Sequence, residues 1–99
     1  MYVIIWEYRV RAAHVAEFVE IYSATGVWAR LFQKSQGYLG TELLADGEHP
    51  HRYLTIDRWS SSQEFEAFLA KYKKEYADLD AQCGGLTEQE TLLGRWETQ

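Results

Sequence analysis

The sequence predicts an α+β fold of order β-α-β-β-α-β, a four-stranded antiparallel sheet with both helices on one face. Four stretches rich in β-branched and aromatic residues alternate in that order with two stretches of helical apolar period. Glycine and proline clusters separate them at the expected places. Two β-α-β units joined by a hairpin pack most simply in this way. A chain of 99 residues has length for one domain, so residues 1–99 are read as a single unit.

The elements follow in chain order. "YVIIWEYRV", residues 2–10, reads as a strand, with Tyr2, Ile4, Trp6, Tyr8 and Val10 alternating with Val3, Ile5, Glu7 and Arg9. Both faces are apolar over the first half, so both should be covered. From about residue 13 the period becomes helical through Val15, Phe18, Val19 and Tyr22, and it resumes in "VWARLF". This predicts a helix over 13–33, kinked near Thr25 and Gly26. Gly37 then ends the helical run, and "YLGTELLAD" makes a strand over 38–46. Gly40 inside that strand marks either a β-bulge or a close approach to the backbone. "GEHPH" turns the chain, and "HRYLTIDRW" forms a strand over 51–59. "SSSQEFEAFLAKYKKEYADL" opens a second helix, with Ser61 and Glu64 at capping-box spacing and a stripe through Phe65, Phe68, Leu69, Tyr72 and Tyr76. "DAQCGG" breaks it, and the last strand covers 87–97.

Composition narrows the partners. Net charge is −5 with scattered basic residues, which argues against nucleic acid. The single cysteine, Cys83, forms no internal disulfide and fits a reducing compartment. No stretch approaches a membrane span in length, and no leader peptide is recognised, so a cytoplasmic location is expected. Aromatic residues make up 15% of the chain, a large share for so small an interior. Some of these rings are expected to line a ligand cavity or a subunit interface. A single helical layer covers only one sheet face, so the other is expected to pair with a second copy in a homodimer. With the helices on the odd face of the first strand, the uncovered residues would be Tyr2, Ile4, Trp6 and Tyr8.

"GYLGTELL", "RYLTIDRWSSSQEFEAFL" and the late "GRWE", together with the element order, resemble the antibiotic biosynthesis monooxygenase domain family. The resemblance covers nearly the whole chain. It implies a dimeric α+β barrel, built of ferredoxin-like halves paired sheet to sheet, each with a pocket between sheet and helices. Activities in this family range over cofactor-free oxidation of aromatic polyketides and quinols, haem degradation, and roles not assigned. The haem-degrading branch resembles a pattern of Asn, Trp and proximal His that falls here on Glu7, Phe68 and about Asp78. None matches, and without the His an iron lacks its usual ligand.

Metal and nucleophile signatures are weak. His49 and His51 flank Pro50 in a turn beside Glu48, a spacing that matches no metal motif, and no metal site is expected. There is no G-x-S-x-G elbow and no Cys–His pair. What remains is an aromatic cavity with a few polar groups. Helices on the odd face would place Glu7 beneath them as a base, its pKa raised by desolvation. Tyr22, His51, Tyr53, Phe68, Tyr72 and Tyr76 are the expected substrate-binding residues. The leading expectation is a homodimeric monooxygenase acting without metal or flavin on a small aromatic, quinol-like or polyketide-like molecule. A binding protein without turnover, and an isomerase or cyclase of the same fold, are the alternatives.

Overall fold

A computed structural model describes residues 1–99. Its strands are β1 (Tyr2–Val10), β2 (Tyr38–Ala45), β3 (Arg52–Trp59) and β4 (Thr87–Glu97). Its helices are α1 (Val15–Tyr22), α2 (Val27–Phe32), α3 (Ser62–Lys71) and α4 (Lys73–Cys83), with one 3₁₀ turn at Ala12–His14. The strands form a single antiparallel sheet in the order β2-β3-β1-β4, which puts β1 and β3 at its centre. This is the ferredoxin-like α+β arrangement. No helix is long and apolar enough to cross a membrane.

The helices lie on the even face of β1, the reverse of the expected side. Ile4, Tyr8 and Val10 are buried in the core with Phe18, Tyr22, Phe65 and Phe68. Tyr2 packs on Phe65, and Tyr8 meets Phe18 and Tyr22 edge-on. Val3, Ile5 and Glu7 therefore point away from the helices. Cross-strand register extends the two faces to β3: Tyr53, Thr55, Asp57 and Trp59 go under the helices, while Arg52, Leu54, Ile56 and Arg58 share the open face. The physical reason lies in β3. Trp59 is 0% exposed and its ring touches Phe32, Tyr38, Phe65 and Phe68, so it must point into the core. Its partner across the ladder is Tyr2, and the period of two then fixes every even residue of β1 on that side.

Each predicted helix is a pair. Gly26 precedes α2, and a Cβ there would lie 2.3 Å from the Ile21 carbonyl oxygen and 2.5 Å from that of Glu20. The chain turns back on α1 too closely for any side chain. The second helix bends at Tyr72, whose φ is −112° and ψ 31°. Hydrogen bonding carries on through the bend, from Tyr72 N–H to Phe68 O and from Tyr76 N–H to Tyr72 O, both at 2.9 Å. Helix α4 runs on to Cys83, which is buried in the core near Leu86. The expected cap is present: the Ser61 hydroxyl accepts the Glu64 N–H at 3.1 Å. Gly40 sits at a bulge between Tyr38 and its β3 partners, with a φ of 145° that an L side chain rarely adopts. No atom lies within 4 Å of its Cβ position, so within the chain this is a bulge glycine rather than a point of close approach.

Candidate functional site

An aromatic concavity lies between the helix-covered face of the sheet and helices α1, α2 and α4. It has a volume of about 160 Å³ and is partly open to solvent. Trp6 and Tyr8 from β1, Tyr22 from α1, Trp28 and Phe32 from α2, and Tyr76 from α4 form aromatic walls. Its polar groups are Thr41 on β2, Thr55 and Asp57 on β3, Asp80 on α4 and Glu90 on β4. No basic residue lines it. The carboxylates are spread over three elements, and no three His, Cys, Asp or Glu side chains converge to hold a metal ion.

Asp57 is the group with most chemical potential. It is 8% exposed, and its Oδ1 accepts a hydrogen bond of 2.6 Å from the Thr41 hydroxyl. That hydroxyl is itself 2.5 Å from the Tyr38 hydroxyl, so a Tyr38–Thr41–Asp57 chain runs from β2 to β3. Asp57 Oδ2 has no donor from the protein, yet it is not sealed off, and the residue lines the cavity. Burial pushes the Asp57 carboxyl up to about 6, with the Thr41 hydrogen bond opposing the shift. A carboxylate of that basicity is mostly ionised at neutral pH and can take a proton from a weak acid. The Tyr8 hydroxyl is 2.8 Å from Thr55 Oγ1 on the adjoining wall, and burial raises its pKa. Burial also raises Tyr22 and Tyr76. These phenols stay neutral and serve as walls and hydrogen-bonding groups.

The expected site residues divide. Tyr22 and Tyr76 line the cavity. Phe68 is buried in the core beneath a separate shallow groove bordered by Tyr72, whose ring lies 5.4 Å from the Lys34 ammonium and 5.5 Å from that of Lys71. Tyr53 packs on Phe18 outside the cavity lining. His51 lies in the exposed β2–β3 turn with a φ of 68° and is not part of the cavity lining. Glu7 requires a correction. It stands on the open sheet face, where Arg52 Nε donates to Glu7 Oε2 at 2.7 Å and Arg52 Nη1 reaches Asp46 at 2.8 Å. Placing it beneath the helices followed from the wrong face assignment of β1, and it does not line the cavity.

Asp57 escaped the sequence reading although its signal is present. In "YLTIDRW" it shares the period-two face of Trp59, so anchoring β3 by its tryptophan places one carboxylate under the helices. Asp80 and Glu90 carry no such signal, because their approach depends on how α4 and β4 pack.

The sequence profile described as antibiotic biosynthesis monooxygenase matches residues 1–72. No functionally curated protein matches in sequence. Among solved structures, SnoaB from Streptomyces nogalater, described as a cofactor-independent oxygenase, superposes with a TM-score of 0.76 at 19% identity, covering 98% of this chain and 91% of that one. A Deinococcus radiodurans protein described as a candidate antibiotic biosynthesis monooxygenase gives 0.79 at 16% identity, over 100% and 93% of the two chains. MhuD, solved with two manganese protoporphyrin IX molecules per active site, gives 0.73 at 23% identity over 99% and 94%. Likeness at these identities establishes a shared fold.

Proposed function

This chain belongs to the antibiotic biosynthesis monooxygenase family, and from that premise we propose that it oxidises a small flat aromatic substrate with dioxygen, without metal or flavin, with Asp57 as the base. The observation that carries this reading is a nearly buried carboxylate, with one oxygen free, at the wall of an aromatic cavity. Trp6, Trp28 and Tyr76 would hold the ring by stacking and edge contacts. Asp57 Oδ2 would take the proton from a phenol, an enol or an activated CH₂. The resulting anion passes one electron to dioxygen, and the substrate radical and superoxide combine to a peroxide. Loss of water then leaves a carbonyl: one oxygen atom stays in the product, the other departs as water, and all four electrons come from the substrate. Asp57 returns its proton to that water.

The assembly proposed with this function is a homodimer through the open sheet face. Val3, Ile5, Leu54 and Ile56 form its apolar centre, in place of Tyr2, Ile4, Trp6 and Tyr8, which the helices cover. Leu44 and Trp96, 41% and 49% exposed, extend it toward the sheet edges.

Dioxygen uptake with an anthrone and with a quinol tests the reaction. Asp57→Asn should lower turnover by about 10²–10⁴-fold, the usual contribution of a positioned base, with substrate still bound. Ligand binding without oxygen uptake in the unmodified protein would favour a binding role. Conversion of substrate without oxygen uptake would favour an isomerase or cyclase.

A further inference from the structure

The charges around the cavity are of one sign. Asp57 stands at its wall, 8% exposed, with Oδ2 free of any protein donor. Asp80 and Glu90, both exposed, border its opening. Glu90 Oε1 receives a long contact of 3.4 Å from the Thr87 hydroxyl, and the Tyr22 hydroxyl also bears on this carboxylate. Tyr76 lines the same cavity, and its hydroxyl feels Asp80, Asp57 and Glu90, with Arg95 acting against them. Arg95 sits over the Phe65 ring at 5.6 Å and is not part of the lining. Three carboxylates thus bound an aromatic cavity whose lining holds no basic side chain, in a chain whose net charge is already −5.

Resting on the reading of this cavity as a substrate pocket, we propose that its ligand is an aromatic amine bound as the cation, its ring among Trp6, Trp28 and Tyr22 and its ammonium group at the opening between Asp80, Glu90 and the face of Tyr76. The reacting hydroxyl or CH₂ then lies inward, at Asp57. An ammonium at the opening relieves the repulsion between Asp80 and Glu90, which with burial raises the Glu90 pKa. It also gains from the Tyr76 ring, since aromatic faces attract cations, more strongly when water is excluded. A cleft lined by one sign of charge, with low-dielectric walls, concentrates ligands of the opposite sign. The same arrangement works against ring systems bearing carboxylate, sulfonate or phosphate groups, which meet three like charges and no donor cation. The free Oδ2 of Asp57 sets the depth at which the ring comes to rest, because a buried carboxylate oxygen is satisfied by a ligand hydroxyl.

Titration calorimetry with three probes of one ring tests this: 1-naphthylmethylamine, 1-naphthalenemethanol and 1-naphthoate, at pH 7.5 and low ionic strength. The amine should bind at least about tenfold more tightly than the carboxylate, with the alcohol between them. The amine-to-alcohol affinity ratio should fall toward one in the Asp80→Asn, Glu90→Gln double variant, whose substitutions are exposed and compatible with folding, and in 0.5 M salt. Asp57→Asn should lower that ratio less than the double variant does. Equal or tighter binding of the naphthoate, or a ratio unchanged in the double variant, would overturn the proposal while leaving the pocket in place. Failure of all three probes to bind would overturn the pocket reading, and this inference with it.

Discussion

Replacing Trp59 by alanine should remove about 3–5 kcal/mol of stability. The indole is 0% exposed and is surrounded by Phe32, Tyr38, Phe65 and Phe68 at centroid distances of 5.2–5.5 Å. A ring of this size withdraws roughly 150–250 Å² from water, worth about 4–6 kcal/mol at 25 cal/mol per Å². The retained methyl group lowers the loss. So does the indole Nε1, which is buried without a partner and therefore carries a penalty of about 1–3 kcal/mol that truncation removes. The lost edge-on and tilted ring contacts work in the other direction. Urea unfolding at fixed protein concentration measures the difference, because the stability of the proposed dimer would depend on concentration. The same loss corresponds to a fall in Tm of more than about 12 °C for a domain of this size. Trp59→Phe serves as the control: it keeps most of the contacts and discards the unpaired N–H, so it should cost only about 1–2 kcal/mol. A loss below about 1 kcal/mol for the alanine variant would refute the role of Trp59 in fixing which face of the sheet meets the helices.

Gly26→Ala should destabilise by about 1–3 kcal/mol in thermal unfolding, because its Cβ would meet the Ile21 carbonyl oxygen at 2.3 Å. The folded state raises the Asp57 pKa above its ordinary 3.8 to about 6, so the native chain binds the extra proton. Stability from this group is full below pH 4 and is lost as pH rises through 6. Asp57→Asn should therefore gain on the unmodified protein by on the order of 2 kcal/mol between pH 4 and pH 7.5, measured by denaturant unfolding across that range. A constant difference would show that the carboxyl titrates normally. Glu7→Gln should leave oxygen uptake within about twofold of the unmodified rate, since Glu7 pairs with Arg52 on the open face; a loss of 100-fold or more would return it to the reaction. Tyr72→Phe should leave naphthalenemethanol affinity unchanged in calorimetry, because Tyr72 borders the separate groove and not the aromatic cavity.

Element order and type were legible in the sequence because local periodicity and breakers encode them. "YVIIWEYRV" could only be a strand, and Ser61 with Glu64 announced the start of α3. The family was legible in "GYLG" and in the passage from Trp59 to Phe68. The facing of β1 was not, because its two faces are nearly equally apolar; a period of two fixes alternation but leaves its phase open. One tertiary contact set, the rings around Trp59, decided that phase. The site moved with it: Glu7 went to the open face, and Asp57, two residues before Trp59 and on its side of the strand, came under the helices. The bend at Tyr72 decided the rest. No proline or glycine marks it, and the backbone bonds persist through it, so only the packing of α4 shows that Tyr76 and Asp80 turn toward the cavity while Tyr72 stays beside Lys34 and Lys71. Sequence determined which segments would pair and which would coil. The meeting of a carboxylate with aromatic walls came from long-range packing, which no local pattern records.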